Sequence, residues 1–432
     1  HRARLRARLG QRRHLCGLRR DNDGEKGEND GEKGGKMGGF QGWYPITSGV
    51  YTSLSPRSLQ RKPLGLKMLG ARLFEAPPND VERFLAAAWQ SGARPVVVLT
   101  KADLCEQSEG LAAEIATLAA GCPVIVKAHP AHPKLSVRLG QLVRDALLDA
   151  GAPEGAYTNL FVSKEQVAQV IEDPRIRAVA LTGSEAAGAV VAAQAAKHLK
   201  KSTLELGGSD AFIVLDDADL DKALKHAVSG RMGNSGQACT ASKRFIVAET
   251  LADSFLEKFQ AALGNFAPGD PMDKKTTLAP LSSTEALKKL IGQVDEAVDS
   301  GARVLTGGKR IEGHVGAFMQ PTILTDIDKS NPAYRQEFFG PVALFFKVAD
   351  EDAAVALAND SPYGLGGSVF TEDIERGKRV ARKIDTGMVF INSDAVTSPE
   401  LPFGGVKNSG YGRELSGAGI QEFVNKKLIR VN

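Results

Sequence analysis

The chain has 432 residues; 42% are hydrophobic, 25% are charged, and 55 Lys and Arg stand against 51 Asp and Glu. That length suffices for two or three domains with a large core, and the composition is that of a soluble globular protein. A net charge of +4 and the lack of any apolar run of membrane-spanning length give no case for a nucleic-acid or membrane partner.

The N-terminal end departs from this average. Residues 1–20 carry eight arginines and no acid, and Asp23-Gly24-Glu25-Lys26-Gly27 is repeated as Asp30-Gly31-Glu32-Lys33-Gly34. Charged, glycine-rich sequence buries too little apolar surface to order itself, so a disordered tail is expected. The arginine block has the composition of a transit peptide or a nucleic-acid arm, and a disordered or artefactual tail is the plainer reading. A first residue of His1 agrees with a fragment. Between Asn79 and Gly110, the run 81–89 places apolar residues at helical spacing, and 94–99 reads as a buried strand ending in Thr100-Lys101-Ala102-Asp103.

From Gly121 onward strands and helices alternate. Strands are expected at 123–126, 158–162 and 178–182, and helices at 136–150, 164–171 and 185–199. This alternation predicts a parallel, doubly wound sheet with ligands at the strand carboxyl ends, where Lys127 and Gly183 fall. After Gly208 a second α/β unit follows, with strands at 212–215 and 244–247 and helices at 220–232, 251–263 and 284–300. The run 427–431 reads as an edge strand.

Two residues carry the chemistry. Cys239 lies in Asn234-Ser235-Gly236-Gln237-Ala238-Cys239-Thr240, thirty-four residues after Glu205 in Glu205-Leu206-Gly207-Gly208. A thiolate can attack an aldehyde carbonyl, a hydride can leave to a nicotinamide, and a carboxylate-activated water can hydrolyse the thioester. A partly buried carboxylate suits the last step because burial raises its pKa toward neutrality. Taken singly, a buried Cys is a small hydrophobe and a Glu after a strand is a solvated charge. The flanking glycines, where backbone can approach a ligand closely, favour the catalytic reading. Cys16, Cys105, Cys122 and Cys239 show no CxxC spacing and read as reduced thiols in a cytoplasmic compartment, and no metal site is expected.

Several segments in order resemble the NAD(P)-dependent aldehyde dehydrogenase superfamily, and within it the semialdehyde branch, from about residue 121 to 432. They are Val126-Lys127-Ala128-His129-Pro130, Leu181-Thr182-Gly183-Ser184, Glu205-Leu206-Gly207-Gly208, the Cys239 loop, Glu337-Phe338-Phe339-Gly340-Pro341 and Leu401-Pro402-Phe403-Gly404-Gly405-Val406-Lys407. The resemblance implies Cys239 as nucleophile and Glu205 as general base. It implies Glu337 on the nicotinamide ribose, Phe339 beside the nicotinamide, Lys127 on the adenosine ribose and Ser184, after Gly183, on the pyrophosphate. Leu206 and Gly207 join the cofactor positions. Relatives that prefer NAD often place a glutamate three residues after the lysine; Pro130 stands there, which removes repulsion against a 2′-phosphate, so NADP should be tolerated as well as NAD. A small-molecule aldehyde and a homo-oligomer formed through 427–431 are the implied partners.

Two features depart from that pattern. The family's N-terminal part ends in a Pro-Trp-Asn segment whose amide faces the aldehyde oxygen, and this chain has no Pro-Trp-Asn. Loss of one such donor costs about 10²–10³ in rate. The run ending in Thr100-Lys101-Ala102-Asp103 resembles the guanine-recognition segment of circularly permuted ribosome-assembly GTPases, although no G-x-x-x-x-G-K-[ST] phosphate loop occurs. The expected architecture is therefore α/β. It comprises a disordered basic tail (1–40), a GTPase-like fragment and junction (41–120), and an incomplete doubly wound, Rossmann-like dinucleotide-binding domain (121–206). A second α/β catalytic domain (207–400) and a return segment with an oligomerisation strand (401–432) complete it. The function expected first is oxidation of a small semialdehyde such as succinic semialdehyde with NADP or NAD. The alternative is a truncated or mosaic relative that binds nucleotide with little or no catalysis.

Overall fold

The computed structural model describes residues 96–99, 117–118 and 121–432. All of them fall in one unit, Gly70–Asn432. The expected tail 1–40, the helix 81–89 and Thr100-Lys101-Ala102-Asp103 lie outside the described residues.

The strands of the cofactor half are β1 (Val96–Leu99), β2 (Val124–Lys127), β3 (Tyr157–Leu160), β4 (Ala178–Thr182) and β5 (Lys201–Glu205). Its helices are α1 (Pro133–Asp149), α2 (Lys164–Glu172) and α3 (Glu185–Lys197). The second half holds β6 (Asp210–Val214), α4 (Leu220–Met232), β7 (Ser242–Ala248), α5 (Glu249–Leu263), α6 (Thr284–Asp299), β8 (Arg303–Thr306), β9 (Thr322–Thr325) and β10 (Val342–Val348). It continues with α7 (Glu351–Asn359), β11 (Tyr363–Gly364), β12 (Gly367–Phe370), α8 (Ile374–Lys383) and β13 (Phe390–Ile391). The chain closes with β14 (Val406–Lys407), β15 (Gly410–Tyr411) and α9 (Ser416–Glu422).

In the first sheet the order is β15-β5-β4-β1-β2-β3. All pairs are parallel except β15 on β5. Side chains alternate between two covered faces, as a doubly wound sheet requires. Ile125 and Val179 pack with Val170, Ile171 and Val191 from α2 and α3; Val124, Val126 and Ala180 pack on the other face with Val143 and Leu147 of α1 and with Phe423. Each fully buried Val or Ile contributes about 1.5–3 kcal/mol relative to an exposed one. Helix starts follow their caps. Ser163 and Gln166 form a reciprocal capping box at α2, and the Ser184 hydroxyl accepts from Ala187 N–H at α3.

The sheet is fuller than the sequence implied. β1, from the segment set apart as GTPase-like, lies at its middle, paired along all four residues with both β2 and β4. A Val-Val-Val-Leu run suits such a place, because a strand covered on both faces favours continuous β-branched residues. The register sets Leu99 beside Lys127 and Leu181, and Thr182 beside Glu205, so Lys127, Gly183 and Glu205 share one carboxyl edge.

The second sheet runs β13-β12-β6-β7-β10-β9-β8. Its strands are parallel except for β8 on β9. One face buries Ile213, Ile246 and Leu344 against Leu287, Leu290 and Val294 of α6. The other buries Phe212, Phe245 and Phe345 against Ala223 and Ala227 of α4 and Phe255 and Phe259 of α5. The edge strand expected at 427–431 does not form within the chain: residues 425–432 have no regular structure, and Leu428, Ile429 and Val431 are 77–90% exposed. A ladder needs a neighbouring strand, and here β15 already occupies the edge beside β5.

The central placement of β1 is testable. Val97→Pro removes a ladder donor between two strands and is expected to cost about 3 kcal/mol or more. A fall in the denaturation midpoint checks this; an unchanged midpoint contradicts the placement.

Candidate active site

The loop before Cys239 is held in a conformation that side chains avoid. Asn234, Ser235 and Gly236 follow one another at φ 51°, 53° and 75°, all in the left-handed region. Such residues cost on the order of 1–3 kcal/mol each and persist only where the surroundings over-determine them. Here they do. Ser235 Oγ donates to Ala279 O at 2.8 Å, Gln237 Nε2 donates to Asn234 O at 3.2 Å, and Ser282 N–H donates to Gln237 Oε1 at 2.8 Å. A Cβ on Gly236 would stand 2.4 Å from Gly340 O, so only glycine fits where the loop crosses the turn after Phe339.

Cys239 is half-buried at the end of this loop. The strip after Glu205 presses against it: a Cβ on Gly208 would stand 2.7 Å from Cys239 O. Glu205 itself ends β5 and is 2% exposed. Its backbone oxygen accepts from Gly183 N–H at 2.9 Å, and it pairs in register with Gly410 of β15. A Cβ on Gly404, at φ 148°, would come within 2.7 Å of Glu205 Oε1. Two glycines thus let the Cys239 backbone and the Glu205 carboxyl group each be approached closely.

Glu337 joins the same place. Its Oε1 accepts from Gly208 N–H at 3.0 Å and lies 3.5 Å from Lys243 Nζ, while a Cβ on Gly207 would meet Oε2 at 2.6 Å. Phe339, two residues on, is 39% exposed, although its neighbour Phe338 is fully buried. Tyr363 lies at Gly207 as well; burial, then the Glu337 charge, push its hydroxyl up to about 12. Leu206 is buried and leaves no room for a side chain at Gly188 of α3.

Beneath the loop lies a cluster of buried charges that motif reading did not assemble. Arg231 and Lys243 flank the Cys239 loop, and both are fully buried and turned to backbone carbonyls. Arg231 donates to Gly236 O at 2.7 Å and Val342 O at 3.2 Å. Lys243 Nζ donates to Cys239 O at 2.7 Å, Ala238 O at 3.0 Å and Ala241 O at 3.2 Å. Arg244 donates to Ser209 O, Leu357 O and Ala358 O. Burial lowers all three, Arg231 to about 9 and Arg244 to about 10. Asp210, whose Oδ1 accepts from Gly366 N–H, is pushed up to about 6 by burial.

The remaining sequence candidates lie along the carboxyl edge of the first sheet. Lys127 is half-buried at the end of β2, and Ser184, exposed, caps α3 after Gly183. A cavity of about 180 Å³ is lined by Met388, Phe390, Val396, Thr397, Leu401 and Phe403, among others, and neither Cys239 nor Glu205 lines it. Phe403 precedes Gly404 at the Glu205 carboxyl group. Apart from Phe390 of β13, the cavity's lining comes from loop residues with no periodic signal, which is why the sequence did not reveal it. Among the described residues no cluster of three or more His, Cys, Asp and Glu is arranged to hold a metal, and no helix is long and apolar enough to cross a membrane.

Comparison with known proteins follows this geometry. Residues 110–429 match the model of the aldehyde dehydrogenase family. A Deinococcus radiodurans protein named succinate-semialdehyde dehydrogenase, NADP(+), is 52% identical over 313 residues, 72% of this chain and 65% of that protein. A Synechocystis protein named as a probable enzyme of the same kind is 47% identical, over 65% of this chain and 62% of its own length. The matched part thus spans slightly less than two thirds of these curated relatives. The crystal structure of succinic semialdehyde dehydrogenase from Streptococcus pyogenes, in complex with NADP+, superposes with a TM-score of 0.74 at 46% identity. That match covers 78% of this chain and 73% of the Streptococcus chain.

Asp210 gives a pH test. Its carboxyl group ionises at about 6 when folded and nearer 3.8 when unfolded, so the folded state holds the proton longer. Its contribution is fully present below pH 3.8 and is lost as pH rises through 6. Asp210→Asn removes this dependence and should gain about 2 kcal/mol on the parent chain between pH 4 and 6. Denaturation midpoints across that range check it; parallel curves contradict it.

Proposed function

The chain belongs to the aldehyde dehydrogenase family, and we propose that it oxidises a small semialdehyde of the succinic semialdehyde class to the acid, through a thioester on Cys239. NADP is the proposed cofactor, with NAD as the second. The carrying observation is the backbone contact of Gly208 with Cys239 O, which brings the strip that follows Glu205 against the nucleophile. The names of the Deinococcus and Streptococcus proteins support the substrate and cofactor class.

The residues fit a dinucleotide. Lys127, Gly183 and the N-terminus of α3 at Ser184 share the carboxyl edge of a doubly wound sheet, where backbone N–H groups and the helix dipole favour a pyrophosphate. Pro130 leaves no carboxylate to repel a 2′-phosphate. Gly207 has no side chain to fill the space at Glu337, and Phe339 offers an open aromatic face beside it.

In this mechanism the Cys239 sulfur bonds to the aldehyde carbon, and the Cys239 N–H would donate to the forming oxyanion. The nicotinamide, when bound, accepts the hydride. Glu205 then takes a proton from water, whose oxygen displaces the Cys239 sulfur and releases the acid. The absent Pro-Trp-Asn donor lowers the rate of the first step.

Val96–Leu99 serves, on this proposal, as an integral strand of the cofactor sheet, and the resemblance of the 79–110 sequence to GTPases concerns origin. A homo-oligomer formed through the exposed Leu428, Ile429 and Val431 is part of the same proposal, as is a reducing, cytoplasmic setting that keeps Cys239 a thiol.

With succinic semialdehyde and NADP, Cys239→Ala should lower NADPH production by at least about 10³-fold. Glu205→Gln should give a burst of about one NADPH per chain and then stall. Equal traces for parent and Cys239→Ala contradict the proposal, and NADP binding without turnover in the parent favours the non-catalytic alternative. Removal of 425–432 should lower the sedimenting mass; an unchanged mass contradicts the oligomer.

A further inference from the structure

Lys243 is fully buried, and its ammonium has four oxygen neighbours. Three are carbonyls of the nucleophile's own loop, with Cys239 O nearest at 2.7 Å. The fourth is Glu337 Oε1 at 3.5 Å, which also accepts from Gly208 N–H. One cation therefore touches both the nucleophile's backbone and a carboxylate of the proposed cofactor site. We propose that Lys243 is a positioning residue that couples occupation of the nicotinamide-ribose site to the ionisation of the Cys239 thiol. The inference rests on the dehydrogenase reading of Glu337.

The physical basis is competition for one carboxylate. Ribose hydroxyls donate hydrogen bonds to the acceptor they meet, so a sugar at Glu337 competes with Lys243 and Gly208 N–H for Oε1. A carboxylate drawn toward the sugar neutralises Lys243 less. The ammonium stays fixed by Cys239 O, and its positive potential then falls more fully on the adjacent sulfur. A cation close by favours a thiolate over a thiol. The groups facing this cation are Glu337, Arg231, Asp210 and Cys239. Arg231 is tied to Gly236 O and Val342 O, and Asp210 to Gly366 N–H, so neither is placed to respond to a ribose. Glu337 alone reaches both sides.

The test reads the thiol directly. The rate of Cys239 alkylation by iodoacetamide, followed on its own peptide, is measured against pH with and without saturating NADP in the full chain. NADP binding is measured separately by equilibrium dialysis. In the parent, NADP should move the midpoint of the profile down by about one pH unit. In Lys243→Met the downward shift should vanish. Glu337→Gln keeps the shape of the side chain and the three carbonyl contacts of Lys243, and at saturating NADP its NADP-dependent shift should vanish too. Lys243→Arg should restore a shift by restoring the charge. A full parental shift in Glu337→Gln, or in folded Lys243→Met, overturns the coupling. So does NADP binding to the parent without any shift, while failure of the parent to bind NADP sinks the dehydrogenase reading itself.

Discussion

The Cys239 carbonyl is gripped from two sides, and the site depends on that grip. Lys243 Nζ donates to it at 2.7 Å from below, and the Gly208 backbone lies against it from the side. The sulfur can face a substrate only if the main chain that carries it is immobile. That main chain passes through three consecutive left-handed residues, which would relax if nothing held them. Arg231, Ser235, Gln237 and Lys243 each hold a different carbonyl of the loop or its neighbours.

Burying charge for this purpose is expensive. Arg231, Lys243 and Arg244 are each 3% exposed or less, and Asp210 and Glu337 supply the compensating acid. A buried ammonium is tolerable when several oxygens replace its water, and Lys243 has four. Removing one member leaves its partners unpaired, at a cost of about 3–5 kcal/mol. The same cluster therefore specifies the loop's shape and sets the potential at the sulfur. The two α/β halves meet this cluster through Gly207 and Gly208, the short link between β5 and β6.

Much of this was legible in the sequence because it rests on residue types with few uses. Alternating strand and helix periods located β2 to β4 and α1 to α3 to within a few residues, since burial on two faces leaves a plain apolar pattern, whereas the strand β5 that carries Glu205 was not marked. Glycines at 207, 208 and 236 marked close approaches, because any Cβ there would collide. The roles of Lys243 and Asp210 were not legible, since their burial arises only when β6, β7 and the Glu337 turn pack together. β1 was misplaced for a related reason. Its neighbours in sequence were read as a fragment of another family, yet a Val-rich strand is accepted wherever a parallel sheet has two open ladders. The tail 427–431 has a strand's composition, but composition alone supplies no neighbour to pair with.

The central claim is that the Cys239 sulfur and the Glu205 carboxyl group act on one substrate beside a nicotinamide. Its most direct measurement is acid quenching of the full chain during turnover of succinic semialdehyde, followed by the mass of each cysteine peptide. The account predicts one acyl group on the Cys239 peptide, formed only when NADP or NAD is present. NADPH produced with the Cys239 peptide unmodified and another cysteine acylated would contradict it.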